Sequence, residues 1–158
     1  MTMVSSREPA DSLSGALTAR LTGDQVIRHV SFSGRSMLPM LRQGKDTVEV
    51  KKPPERLKKY DLPMYVGPSG KYVMHRIVDV RQDHYVCLGD NTYAYEKVRP
   101  EQIVAVVCAF YRGDKRIPVD APGYRLYCRV WCAAYPIRRF LRRVKHGLWR
   151  RLKCGNRP

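Results

Sequence analysis

The chain has 158 residues, with 30 Lys and Arg against 14 Asp and Glu, a formal net charge of +16. A hydrophobic fraction of 44% excludes a wholly disordered chain, and the length excludes more than one sizeable core. The five cysteines (Cys87, Cys108, Cys128, Cys132, Cys154) are odd in number and show no CxxC pairing, which argues against a disulfide framework or a structural zinc site and for a reducing compartment.

In chain order, residues 11–21 (DSLSGALTARL) predict a short helix capped by Asp11 or Ser12, weakened by Gly15. Residues 25–32 then read as a strand delivering the chain to a loop, Gly34-Arg35-Ser36-Met37-Leu38-Pro39. A turn at 41–44 leads to an alternating strand over 47–50, ended by Pro53-Pro54. A short strand over 62–66 and a Gly-Pro-Ser-Gly turn precede the longest clear strand, 72–80. A period of two places Val73, His75 and Ile77 on one face of it and Met74, Arg76 and Val78 on the other. Residues 84–88 pair with it as a hairpin, and a near-continuous apolar strand over 103–111 turns at Gly113-Asp114 into a last strand over 116–119. Short strands with turns every 8–12 residues predict a mainly β, antiparallel fold, a sandwich or small barrel.

The C-terminal stretch differs. From Tyr124 onward there are eleven Lys and Arg and no acidic residue, so the tail carries +11 and the remainder +5. Residues 124–153 read as helix, interrupted at Pro136 near the start of a second helix. Ile137, Leu141, Val144, Leu148 and Leu152 recur at helical spacing among arginines, an amphipathic cationic pattern. With Trp131, Tyr135 and Trp149 it fits in-plane binding to an anionic membrane surface. Nucleic-acid phosphates would attract the same charge, less favoured because the apolar face is continuous. The expected division is an N-terminal segment (1–24), a β domain (25–123) and a basic helical tail (124–158).

The chemistry concentrates in three stretches. Ser36 is a nucleophile only if a base takes its proton. Gly34 lets the backbone approach a substrate, and Met37 is placed to pack beneath the loop. His75 has the unperturbed pKa, near ~6.5, suited to general-base work. Gly89-Asp90-Asn91 is a turn signal that can hold an acid against that base, and Glu96 follows. No metal or cofactor is needed for acyl transfer by such a set. Bland alternatives stand beside each: a solvated loop serine, a half-buried strand histidine, a plain turn.

Gly-x-Ser-Met-x-Pro at 34–39, His75-Arg76-Ile77 and Gly89-Asp90-Asn91, in this order, resemble the serine-peptidase superfamily of signal peptidase I and the LexA-type self-cleaving repressors, over roughly residues 26–118. His75, where bacterial signal peptidases carry lysine, resembles the type found in the endoplasmic reticulum and in spore formers. The resemblance implies a coiled β-sheet fold and a serine endopeptidase with Ser36 as nucleophile, His75 as base, Asp90 or Glu96 as its orienter and the Ser36 N–H as an oxyanion donor. Gly34 stands where those enzymes often carry a second hydroxyl. Arg76 and Asp61 are expected to be structural.

The longest apolar run, 103–111, is about half the length of a bilayer span, whereas signal peptidases normally have one. The first 25 residues show no secretory h-region. The expected location is therefore cytoplasmic or peripheral on the inner membrane face. A non-catalytic peptide-binding relative and a nucleic-acid binder are the alternatives. A LexA-like repressor is disfavoured, since the segment before the first strand is too short for a helix-turn-helix domain.

Overall fold

A computed structural model describes residues 25–154. Nine strands follow one another as β1 (Val26–Val30), β2 (Asp46–Lys51), β3 (Pro63–Val66), β4 (Tyr72–Met74), β5 (Arg76–Val80), β6 (Tyr85–Leu88), β7 (Glu96–Val98), β8 (Ile103–Arg112) and β9 (Lys115–Pro118). Two helices close the described chain, α1 (Pro122–Ala133) and α2 (Tyr135–Cys154). The fold is mainly β and antiparallel throughout. Among the described residues it does not close into a barrel. One sheet runs β1-β2-β8-β3-β4 with β9 added on β8, and a separate three-stranded sheet runs β5-β6-β7.

Strand β8 explains its own composition. It pairs with β2, β3 and β9, and successive residues enter different cores. Ala105 and Val107 join a cluster with Met37, Leu41, Val48 and Met64, while Val106 joins a second cluster with Tyr65, Ile77, Cys87 and Val98. A strand buried on both faces has no use for polar alternation, hence the unbroken apolar run.

The expected single strand over 72–80 is two strands in two sheets. Met74 pairs with Met64 in the larger sheet and Arg76 with Leu88 in the smaller, leaving His75 at the crossing. Met74, His75, Arg76 and Ile77 are all buried, which a one-sided alternating strand cannot achieve. The expected face-sharing nevertheless persists across the break: Val73 and Ile77 pack in the cluster of Tyr65, which also meets His75, while Met74 and Arg76 face the larger core.

The tail also divides. The boundary expected at 124 falls inside a helix that belongs to the body: Tyr124 and Cys128 are buried members of the larger core. Trp131 and Tyr135, expected at a membrane interface, instead dock on the body, donating to the carbonyls of Asp90 (3.1 Å) and Tyr93 (2.9 Å). The apolar stripe points the other way. Leu126, Val130, Ile137, Phe140, Leu141 and Val144 are 52–65% exposed. The helix expected over 11–21 lies outside the described residues, as do the side chains of Leu148, Trp149 and Leu152.

Candidate active site

His75 occupies the point where the chain leaves one sheet for the other, and its ring is held from one side. Its Nδ1 lies 3.2 Å from Glu96 Oε2 and 3.2 Å from the Tyr65 hydroxyl, which itself donates to Glu96. A carboxylate only accepts, so the proton of the neutral imidazole belongs on Nδ1 and the lone pair on Nε2. That is the tautomer a general base requires. Burial depresses the His75 pKa, and the nearby Glu96 charge opposes this only in part. The ring is therefore neutral and ready to accept a proton at neutral pH. Burial, then the Glu96 charge, pushes the Tyr65 pKa far up, so its hydroxyl stays a donor.

The free side of the ring meets Gly89. A Cβ built there would lie 2.9 Å from His75 Nε2 and 2.8 Å from the Ser36 carbonyl oxygen. His75 Nε2 and the Ser36 backbone are thus separated by no more than the sum of those two distances, and any side chain at 89 would intrude between them. This close approach is the reason for a glycine in the turn.

The Ser36 loop is tied down on both flanks. Gly34 has φ +104, a conformation open to glycine, and its N–H donates to Gln43 Oε1 at 2.9 Å. Met37, buried at 3%, anchors the loop in the larger core. The Asn91 N–H donates to the Ser36 carbonyl at 2.7 Å, and Asn91 Nδ2 to the Arg35 carbonyl at 3.1 Å. The 89–91 turn therefore clamps the serine loop beside the histidine. No hydrogen bond joins the Ser36 hydroxyl to His75 among the described residues. Such contacts are often long in an unliganded site and tighten around a substrate.

Asp90 is not placed to orient His75. Arg76, fully buried, takes both of its oxygens, Nε to Oδ1 at 2.9 Å and a terminal nitrogen to Oδ2 at 2.8 Å. The Tyr127 hydroxyl adds a third bond at 3.1 Å. The opposite edge of the guanidinium donates to the Tyr124 hydroxyl and meets Cys128 Sγ, each at 2.8 Å. This ion pair joins β5, the 89–91 turn and α1. Of the two carboxylates, Glu96 alone touches the imidazole, because β7 pairs with β6 and brings it opposite Cys87. Asp61 serves the backbone: its carbonyl accepts from Ile77 N–H at 2.9 Å and its side chain caps Lys58 N–H at 2.7 Å.

No family model, curated protein or solved structure matches this chain. Among the described residues no three His, Cys, Asp or Glu side chains gather as metal ligands would. Sequence reasoning missed Tyr65, a first neighbour of both His75 and Glu96. The available signal was a tyrosine inside an apolar strand, since a buried phenol must find a polar partner.

Proposed function

We propose that this chain is a serine endopeptidase of the signal-peptidase and LexA type, with Ser36 as nucleophile, His75 as base and Glu96 as orienter. The observation that carries this reading is the imidazole itself: Nδ1 against Glu96 and Nε2 against the Gly89 gap that Ser36 borders. In the forward step Ser36 Oγ attacks the peptide carbonyl while His75 Nε2 takes the hydroxyl proton. The same nitrogen returns it to the leaving amine, and a water then hydrolyses the acyl-enzyme by the reverse traffic. The Ser36 N–H makes no hydrogen bond to a described residue and is free to meet the oxyanion. The test is digestion of a diverse peptide pool read by mass spectrometry. Cleavage is expected with the intact chain and loss with Ser36→Ala or His75→Ala at unchanged circular dichroism. Equal cleavage by Ser36→Ala would leave a peptide-binding domain on the same groove as the reading.

The helices favour work at an anionic membrane surface rather than on nucleic acid. The outward stripe of Leu126, Val130, Ile137, Phe140, Leu141 and Val144 is exposed along both helices, and the exposed Arg129 borders it, about 80° from the centre of its α1 part at 100° per residue. An apolar face with cationic edges suits the headgroup boundary. No helix among the described residues is long and apolar enough to cross a membrane. Flotation with vesicles containing phosphatidylserine should retain the intact chain, and Phe140→Glu with Leu141→Glu should release it. Stronger retention on DNA than on vesicles at matched salt would reverse the assignment.

A further inference from the structure

A second concavity adjoins the serine loop and is cationic. The groove, about 570 Å³, has Asn91, Thr92 and Tyr93 on one wall and Arg139, Arg142 and Arg143 on the other. Its first wall is continuous with the candidate active site: Asn91 is hydrogen-bonded to the carbonyls of both Arg35 and Ser36, and the Thr92 hydroxyl accepts from Gly89 N–H at 2.9 Å. The arginine wall is uncompensated. No carboxylate of the described residues lines the groove, and those of the candidate active site are engaged elsewhere, Asp90 by Arg76 and Glu96 by His75 and Tyr65. None of the three arginines forms an ion pair among the described residues.

The arginines also point away from the apolar stripe. At 100° per residue Arg139, Arg142 and Arg143 lie roughly 110–150° from its centre on α2. Arg142 is turned onto the Tyr93 ring, its guanidinium carbon 4.5 Å from the centroid. A bilayer lying on the stripe would face the opposite side of the helix, so these cations are not positioned for lipid. They line the side of α2 that faces the 91–93 turn, next to the serine loop.

We infer that this groove selects substrates carrying acidic residues beside the cleaved bond, with Arg139, Arg142 and Arg143 as specificity determinants. The inference rests on the peptidase reading, and binding is measured separately from cleavage so that each can fail alone. The full chain carrying Ser36→Ala is titrated by fluorescence anisotropy with a labelled Glu-Gly repeat peptide and with its Gln-Gly counterpart. The Glu peptide should bind roughly tenfold more tightly, with the difference shrinking as salt rises. Arg139→Gln with Arg143→Gln should remove that preference, whereas Arg125→Gln with Arg129→Gln, outside the groove, should keep it. In the active chain, cleaved sites in the peptide pool should be enriched in Asp and Glu on one flank, and the groove variant should lose that enrichment. Equal binding of the two peptides, or equal loss from both pairs of substitutions, overturns the inference in favour of diffuse charge. So does a groove variant that loses vesicle binding but keeps its peptide preference. Serine-dependent cleavage without acidic preference sinks the inference and spares the peptidase; acidic preference without cleavage does the reverse.

Discussion

His75 and Arg76 are consecutive, both buried, and each faces a carboxylate, yet the two pairs differ in kind. The Arg76–Asp90 side chains are 0% and 2% exposed and joined by two short bonds, and further donors and acceptors surround both. A guanidinium cannot lose its proton under ordinary conditions, so Arg76 holds a fixed charge that serves as a clamp and not as a proton donor or acceptor. The His75–Glu96 side chains are 6% and 38% exposed, at 3.2 Å. Solvent screens the half-open carboxylate, and desolvation of the imidazole outweighs its attraction, which leaves His75 neutral. Similar residue types thus give a structural clamp on one side and a movable proton on the other, decided by burial and by which cation is involved.

The clamp breaks with the largest effect. Arg76→Met strands a buried carboxylate and is expected to cost about 3–5 kcal/mol in urea unfolding. The double variant Arg76→Met with Asp90→Leu should be less destabilised than the single one, since no uncompensated charge remains. An equal or larger loss in the double variant would mean that the pair contributes net stability. Because Tyr124 and Cys128 complete this clamp, deletion from residue 122 onward should unfold the body, whereas deletion of 139–158 should leave it folded.

The other pair should respond in activity and not in fold. Glu96→Gln keeps shape and hydrogen-bonding reach, but its amide can donate to Nδ1 and favour the wrong tautomer. A loss of roughly a hundredfold in kcat/KM is expected, smaller than for Ser36→Ala, with stability changed by no more than about 1 kcal/mol. Unchanged kcat/KM would remove Glu96 from the mechanism.

The smallest effect is on pH. His75 has a folded pKa below its unfolded value of 6.5, so the unfolded chain binds more protons between the two values. Its contribution to stability is present above pH 6.5 and is lost as pH falls toward the folded pKa. The acid limb of a cleavage profile should likewise lie below pH 6.5, and His75→Gln should flatten the matching slope in unfolding free energy. A limb above 6.5 would contradict a desolvated, neutral imidazole.

Local pattern was enough to specify much of this. The β strands follow from alternation and turn residues, and the amphipathic stripe from helical spacing, because both are periodicities of a single segment. The Gly34 loop, His75 and the 89–91 turn were visible as residue types suited to acyl transfer. Three features came only from the tertiary structure. The break at His75 depends on two sheets competing for one run of apolar residues, and no local period distinguishes that from one long strand. The choice of Glu96 over Asp90 depends on Arg76 capturing the nearer acid in sequence, a matter of which side chain points into which core. The division of the tail into a docked α1 and an outward-facing stripe depends on Arg76 needing Tyr124 and Cys128. Both helices are amphipathic and free of acidic residues, and contact with the body decides which face of α1 is buried.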